Sequence, residues 1–142
     1  MNNWITISCN LNNLQLVRDF VTDFLSPYAL SDTVLNQIKV AIDEITANVI
    51  IHSNKKDDNK FLKLTITPMQ DCLLFEIADK GEPFDPKKYK KPDIPNFIEQ
   101  GKKGGVGLAL VNLIMDKVEF TSENGSNFCR LAKKVETNSL SA

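Results

Sequence analysis

The sequence predicts an α+β fold, a two-layer sandwich in which helices cover one face of a mixed, mostly antiparallel sheet. Apolar residues recur at every second position in some short segments and at helical spacing in others. The order is a strand, two helices, two strands, a long irregular stretch, a helix and two strands, with no regular alternation. The 142 residues, 42% hydrophobic and 25% charged, have the composition of one globular domain, which we assign to residues 1–142.

The predicted first elements are a strand and two helices. WITISC alternates apolar and polar residues, as a strand with one buried face does. Helical spacing extends from Leu11 to Leu25 and is broken by SPYALS. Ser31 or Asp32 is placed to cap a second helix that reaches to about His52, before the polar loop SNKKDDN.

The second half of the chain predicts two strand pairs and a helix. FLKLTITP and LLFEIAD alternate around a turn at Gln70 and Asp71, which is typical of a hairpin. The segment GEPFDPKKYKKPDIPNFIEQGKKGG follows, and irregular stretches of this length are usually functional in small domains. Helical spacing returns at Gly105–Met115, and VEFTS and NFCRLAKKV form a last pair around Asn124-Gly125.

Composition excludes several functional classes. A net charge of −1 gives no overall attraction for nucleic acid or for an anionic membrane. No signal peptide or run of about 20 apolar residues is visible, so we predict a cytoplasmic protein. The three widely spaced cysteines, Cys9, Cys72 and Cys129, favour buried thiols over disulfides or a metal site.

Two polar residues occupy the apolar pattern of the second helix. In VAIDEITANVIIH, Glu44 and Asn48 are four residues apart and therefore share one helical face among aliphatic neighbours. Burial of a carboxylate and an amide there is costly unless a ligand or partner compensates. Alternatively, Glu44 lies at the helix edge and Asn48 binds a neighbouring backbone group. The adjacent Asp43 is predicted to point away into solvent.

An acidic residue ends the middle strand. Leu73, Phe75 and Ile77 share one face of LLFEIAD, and period two places Asp79 on that same core-facing side. One interpretation is a turn-forming Asp-x-Gly. The other is a buried carboxylate that accepts a hydrogen bond from the exocyclic amine of a ligand.

Glycine is concentrated in one short stretch. GKKGGVGLAL, residues 101–110, holds four of the six glycines and runs directly into a helical pattern. Such a loop can present backbone N–H groups to an anion such as phosphate, with help from the helix dipole. A flexible lid or a simple helix-entry turn is the alternative.

Taken in order, these three motifs resemble the nucleotide-binding domain of the GHKL ATPases, which has the Bergerat-type fold. Glu44–Asn48 matches the N box of the family, DKGEPF at 79–84 its first Gly box, and GVGL at 105–108 its second. The phrases EITANVIIHS, DKGEPFDP and GGVGLALVNLIMDKVEF look closest to anti-sigma factor serine/threonine kinases. The resemblance covers about residues 4–134.

The resemblance implies a Mg-ATP site. Asn48 would coordinate Mg²⁺, Asp79 would hydrogen-bond the adenine amino group, and Gly81 would let the backbone pass close to the base. Glu44 would be the general base toward a hydroxyl group or water. The remaining nucleotide-binding positions of the family fall on Phe84, Lys103, Gly104, Gly105, Val106, Gly107 and Leu108.

A nucleotide lid is implied at about 85–104. Kinases of the family often carry a lid arginine, whereas this lid has Lys102 and Lys103. Lysine meets phosphate as a point charge without the bidentate fork of arginine. The single histidine, His52, follows the N box, and a phosphate-site role and a helix-end role are both open.

The function implied is that of a cytoplasmic serine/threonine kinase with ATP and Mg²⁺ as cofactors. Such a protein would bind a sigma factor and phosphorylate a small anti-anti-sigma partner of the STAS type on serine or threonine. The family also implies a homodimer, and neither nucleic acid nor membrane is an expected partner. The alternative is a non-catalytic module in which bound ATP only sets partner affinity, and the absent lid arginine motivates it.

Overall fold

The computed structural model describes residues 2–83 and 104–135, which form five strands and three helices. The strands are β1 (Trp4–Ser8), β2 (Phe61–Pro68), β3 (Cys72–Asp79), β4 (Lys117–Glu123) and β5 (Ser126–Lys134). The helices are α1 (Leu14–Leu25), α2 (Asp32–Asn48) and α3 (Gly104–Ile114). A 3₁₀ turn at Leu11–Asn13 precedes α1, so the helix predicted from Leu11 begins three residues later than expected.

The five strands form one sheet in the order β1-β2-β3-β5-β4, and every neighbouring pair is antiparallel. The predicted hairpin is confirmed, with Ile66 opposite Phe75. The last pair turns at Asn124-Gly125, whose φ angles of 54° and 80° are those that a tight two-residue hairpin turn requires. The predicted α+β class is therefore confirmed, whereas the sheet of the described residues is entirely antiparallel rather than mixed, because each strand pairs with neighbours that run in the opposite direction.

The core lies between the helices and one face of the sheet. Period two directs Leu64 of β2, Phe75 and Ile77 of β3 and Leu131 of β5 to this face, where all four are fully buried. Alternate residues such as Lys63 point to the opposite face, which no described helix covers. The helices thus lie on one side of the sheet, as predicted.

Helix α2 has a capped start and an unusual end. The Ser31 side chain accepts a hydrogen bond from the Val34 N–H, so Ser31 rather than Asp32 is the cap. After Asn48 the helix continues as a π-helical turn over Val49–Ser53. Among the three helices that the structure describes, none is both long and apolar enough to cross a bilayer.

An ion pair ties α1 to α2. Arg18 Nε and Nη2 donate to the two carboxylate oxygens of Asp43 at 2.7 and 3.1 Å. This bidentate geometry raises the pKa of Arg18, first through the hydrogen bond and then through the charge of Asp43. The prediction of a solvated Asp43 is therefore wrong, because its partner lies on another helix.

All three cysteines are free thiols. Cys9 and Cys129 are buried as predicted, whereas Cys72 is half-buried at the start of β3. Burial raises the pKa of Cys129 to about 12. Burial, followed by the charge of Asp79, raises the pKa of Cys9 to about 11. The two buried thiols therefore stay protonated at neutral pH.

Candidate functional site

Asp79, the last residue of β3, anchors the candidate site. It is only 6% exposed and lies on the core face of the sheet, as the strand period predicts. Its Oδ2 accepts hydrogen bonds from the Gly81 N–H at 2.9 Å and from Asn54 Nδ2 at 3.1 Å, with a longer contact of 3.4 Å from Asn127 Nδ2. None of these three hydrogen bonds is to the other carboxylate oxygen of Asp79, Oδ1. A buried carboxylate with one oxygen held and the other available suits a ligand N–H donor.

Two asparagines at this site were missed by the sequence reasoning. Asn54 was assigned to a polar loop, yet it is 1% exposed and touches Asp79. Asn127 lies opposite Asp79 on β5, where its Nδ2 donates to the Gly81 carbonyl at 2.8 Å and the Ser122 hydroxyl donates to its Oδ1 at 2.7 Å. Period two already places Asn127 on the core face of NFCRLAKK, so the signal that identified Asp79 was present there too.

Gly81 is in close contact with the end of the π-helical turn. A Cβ at this position would collide with the Ser53 carbonyl and lie 2.6 Å from Asn54 Oδ1. The next residue confirms the tight packing, because the Glu82 N–H donates to the Ser53 carbonyl at 2.8 Å. Glycine is therefore required here for contact with the chain that follows α2.

We expect Gly81→Ala to lower the free energy of unfolding by about 1–3 kcal/mol, because a backbone carbonyl, unlike a side-chain end, has little freedom to move away. Chemical denaturation of both proteins measures the change. Gly107→Ala is the matched control, since the atoms that its Cβ would meet belong to the flexible end of Glu44. Equal stabilities of Gly81→Ala and wild type would contradict the packing argument.

Glu44 and Asn48 lie one turn apart on α2, as their spacing predicts. Both are half-buried, and their neighbour Val40 is 44% exposed, so the face lies at the edge of the core. Asn48 shares a cavity with Asp79. Glu44 does not line that cavity, and its Oε2 instead lies beside Gly107 in α3, where a Cβ would collide with it.

The electrostatic state of Glu44 is set by its surroundings. Partial burial raises its pKa, and the negative charge of the adjacent Asp43 raises it further. A carboxylate with a raised pKa is a stronger base than an ordinary glutamate. This property suits proton acceptance.

The cavity beside Asp79 lies between α2 and strands β3, β5 and β4. Its polar lining includes Asn48, Asp79, Ser122 and Asn127, and Phe120 contributes an aromatic wall. The volume of about 20 Å³ is room for about one water molecule. A purine ring in this cavity would require the lining side chains to move apart.

The other predicted site residues lie elsewhere in the fold or outside the described residues. His52 is exposed on the π-helical turn and does not line the cavity, and Leu108 packs in the core at 7% exposure. Gly104, Gly105 and Val106 begin α3, of which only the backbone is described at these positions. Phe84 and Lys103, with the predicted lid up to residue 103, lie outside the described residues.

Metal ligands are sparse in the described part of the chain. No group of three histidine, cysteine, aspartate or glutamate residues could hold a metal ion within residues 2–83 and 104–135. Mg²⁺ commonly binds through one or two protein oxygens, with phosphate oxygens and water as its other ligands.

Comparison with known protein families gives a match over most of the chain. The family model of the histidine kinase-like ATPase domain matches residues 7–133. This range contains both described parts of the candidate site.

Curated relatives include two proteins named serine-protein kinase RsbW. The protein of Halalkalibacterium halodurans is 30% identical over 95 residues, which are 64% of this chain and 57% of that protein. The Bacillus subtilis protein is 28% identical over 95 residues, 64% of this chain and 59% of that protein. The matched region thus spans less than two thirds of these relatives.

Solved structures share the fold at low sequence identity. A chain of the SiaB–SiaC complex from Pseudomonas aeruginosa has a TM-score of 0.62 and 11% identity, with 93% of this chain and 89% of that chain covered. A Mycobacterium tuberculosis protein containing RsbU and RsbW domains has a TM-score of 0.61 and 14% identity, with 92% and 31% covered. Identities this low establish the common fold alone.

Proposed function

The chain belongs to the histidine kinase-like ATPase domain family, and on that premise we propose that it is an anti-sigma regulatory serine/threonine kinase. It binds Mg-ATP, sequesters a sigma factor and phosphorylates an anti-anti-sigma partner on serine or threonine. The observation that carries the proposal is the arrangement of Asp79, a buried carboxylate with one oxygen held by three donors and the other available to a ligand amine.

The site residues are arranged in an order that suits a nucleotide. Asp79 and Asn48 line one cavity. Glu44 lies one helical turn before Asn48 in α2, beside Gly107. A base that donates its amino N–H to Asp79 Oδ1 would direct its phosphates along α2 toward Glu44 and the start of α3. The helix dipole of α3 favours negative charge at that end.

Asn48 is the proposed protein ligand for Mg²⁺. Its amide oxygen is of the hard oxygen type that Mg²⁺ prefers, and one such ligand together with phosphate oxygens and water meets the usual needs of this ion. The bound ion would supply neutralisation of phosphate charge. The chain itself binds the base, orients the triphosphate and holds a proton acceptor.

Glu44 is the proposed general base. Its carboxylate would accept the proton of the serine or threonine hydroxyl of the partner as the oxygen attacks the terminal phosphorus and the bond to the nucleoside diphosphate breaks. Fixed placement of the acceptor matters more than its strength in such a transfer. The contact with Gly107 restricts where the carboxylate lies.

The pH dependence of transfer should report on Glu44 and its neighbour. The ionised form is the base, and its raised pKa means that activity falls as the pH drops through a higher range than an ordinary glutamate gives. Asp43→Asn removes the negative charge that helps to raise the pKa of Glu44, so that pKa falls. We therefore expect the acidic limb of the pH–rate profile to move to lower pH.

The control for Asp43→Asn is Asp32→Asn, because Asp32 lies on the same helix about 18 Å from Glu44. That distance exceeds the screening length of about 8 Å at physiological salt, so the acidic limb should stay where the wild type has it. An unmoved limb in Asp43→Asn, or one moved to higher pH, would contradict the assignment of Glu44.

The partner proteins are proposed from the relatives. Proteins named serine-protein kinase match this chain, and a neighbour in the fold comes from a two-protein complex. We propose a small STAS-type protein as phosphoacceptor, a sigma factor as the sequestered partner and a homodimer as the working form, all in the cytoplasm. The predicted single domain over residues 1–142 and the lid at 85–104 complete this assignment.

One experiment separates the kinase from a non-catalytic ATP-binding module. Native partners are co-purified with the protein, and transfer of the γ-phosphate to the smallest partner is followed together with calorimetric binding of Mg-ATP. Binding with transfer supports the kinase. Tight binding without transfer to any partner favours the module, which the lysine-only lid motivates. Absence of Mg-ATP binding would refute both.

A further inference from the structure

We propose that Asn54 is a positioning residue of the nucleotide site, which holds Asp79 so that its Oδ1 faces the amino group of adenine. The inference rests on the proposed contact between Asp79 and adenine. Asn54 lies outside the three sequence motifs, and its place at the site is visible only in the fold. It is 1% exposed, and its side chain contacts that of Asp79.

Both hydrogens of the Asn54 amide are used. Nδ2 donates to Asp79 Oδ2 at 3.1 Å and to the Val49 carbonyl at 2.9 Å. Val49 begins the π-helical turn that directly follows Asn48, and Asp79 ends β3. The side chain therefore links the two elements that supply Asn48 and Asp79 to one cavity.

The oxygen of the Asn54 amide, Oδ1, explains why the side chain has this orientation. Asn54 Oδ1 is the one buried side-chain oxygen or nitrogen without a hydrogen-bond partner in the part of the chain that the structure describes. A flipped amide would direct this oxygen at the Asp79 carboxylate and the Val49 carbonyl, which are both acceptors. The need to donate to these two acceptors thus fixes the orientation of the amide, and it leaves Oδ1 without a hydrogen-bond partner.

Three donors on one oxygen also define the direction of the Asp79 carboxylate. Hydrogen bonds to a carboxylate restrict its rotation. Because Asn54, Asn127 and the Gly81 N–H all address Oδ2, rotation of the carboxylate would break them together. Oδ1 is left as the acceptor for a donor from the cavity.

A purely structural role for Asn54 makes a different prediction. Its backbone N–H also donates to the Val49 carbonyl at 3.1 Å, so the residue terminates the π-helical turn. If Asn54 only terminates the turn, its replacement should lower the stability of the protein and reduce the affinity for all nucleotides equally. A positioning residue affects the recognition of the one group that Asp79 binds, which is the 6-amino group of adenine.

The test compares Mg-ATP with the magnesium complex of purine riboside triphosphate, which lacks only the 6-amino group. Calorimetry on the full chain gives both affinities for wild type, Asn54→Ser and Asn54→Asp. Wild type should prefer ATP by about tenfold or more, the usual size of a hydrogen bond to a charged group. Asn54→Ser should reduce this preference to about threefold or less, with the affinity for the purine analogue little changed.

The pH dependence gives a second, independent readout. In Asn54→Asp a new carboxyl group replaces the donor beside Asp79; when protonated it can donate as the amide does, and when ionised it repels the Asp79 carboxylate. Relative to wild type at each pH, the ATP affinity of this variant should therefore rise as the pH falls. Asn59→Asp is the control, since it adds the same charge at an exposed position nearby in sequence.

The outcomes separate this inference from the proposed function. A wild type that binds ATP no better than the purine analogue would refute the adenine contact of Asp79, and the inference with it. A wild type with the preference, together with folded Asn54→Ser and Asn54→Asp proteins that keep it in full, would overturn the positioning role alone. Circular dichroism on each variant verifies that a folded protein was measured.

Discussion

Replacement of Glu44 by glutamine is expected to slow phosphoryl transfer by about 10²–10⁴-fold, the usual contribution of a general base. Glutamine has nearly the same shape as glutamate but cannot accept the proton in the same way. The affinity for Mg-ATP should be unchanged or slightly higher, because a negative charge near the phosphates is removed. Single-turnover transfer of the γ-phosphate to the partner measures the effect, and calorimetry measures the affinity.

Stability provides a further check on Glu44→Gln. A raised pKa means that the folded protein disfavours the ionised form, so Glu44 destabilises the native state at pH values above its ordinary range. The glutamine variant should therefore be slightly more stable than wild type near neutral pH, while its activity is lost. Glu76→Gln is the control for the loss of a carboxylate elsewhere in the protein, because Glu76 pairs with Arg130 and does not line the cavity. It should keep normal transfer activity.

Gly107→Ala tests the placement of the same carboxylate without a change in its chemistry. The added Cβ would occupy the space of Glu44 Oε2, and the flexible glutamate end must then move aside. We expect slower transfer with near-normal stability. Full transfer activity in Glu44→Gln would refute the general-base assignment, whatever the result for Gly107→Ala.

Replacement of Asp79 by alanine is expected to weaken Mg-ATP binding by about 100-fold or more, because the base loses a charged acceptor in a buried site. The donors of Asn54, Asn127 and Gly81 lose their common acceptor as well, so the variant should also be less stable. Asp79→Asn is the milder companion, because it keeps the size of the side chain and removes the charge.

Calorimetry on folded protein measures the affinity, and thermal unfolding identifies any variant that is not folded at the assay temperature. Asp71→Ala is the control, since Asp71 is exposed in the turn between β2 and β3. Unaltered affinity in both folded Asp79 variants would refute the nucleotide site as a whole, because Asp79 is the one carboxylate among the described residues that line the cavity.

Local periodicity was sufficient to predict that Asp79 lies on the core face of its strand and that Glu44 and Asn48 share one face of their helix. A strand alternates faces and a helix repeats in 3.6 residues, so a polar residue in phase with the apolar ones is visible in the sequence alone. The same rule applied to β5 would have indicated Asn127. Ser31 as a helix cap and the turn at Asn124-Gly125 were equally local and are confirmed.

Long-range contacts were not predictable in this way. Asp43 was expected to be solvated because nothing near it in sequence offers a partner, yet Arg18 reaches it from another helix. The contact of Gly107 with Glu44 and that of Gly81 with Ser53 require elements that are far apart in the chain to pack together. Each of these contacts fixes the position of a residue that the sequence analysis had identified.

The sequence by itself determined the fold class, the order of the elements and the residue types available for chemistry, since these depend on local period and turn preference. Only the tertiary structure decided that β5 lies between β3 and β4, that Asn54 and Asn127 hold Asp79, and that Glu44 meets α3. The physical reason is that burial and hydrogen bonding are properties of surfaces brought together by folding, and a local pattern records only one side of each contact.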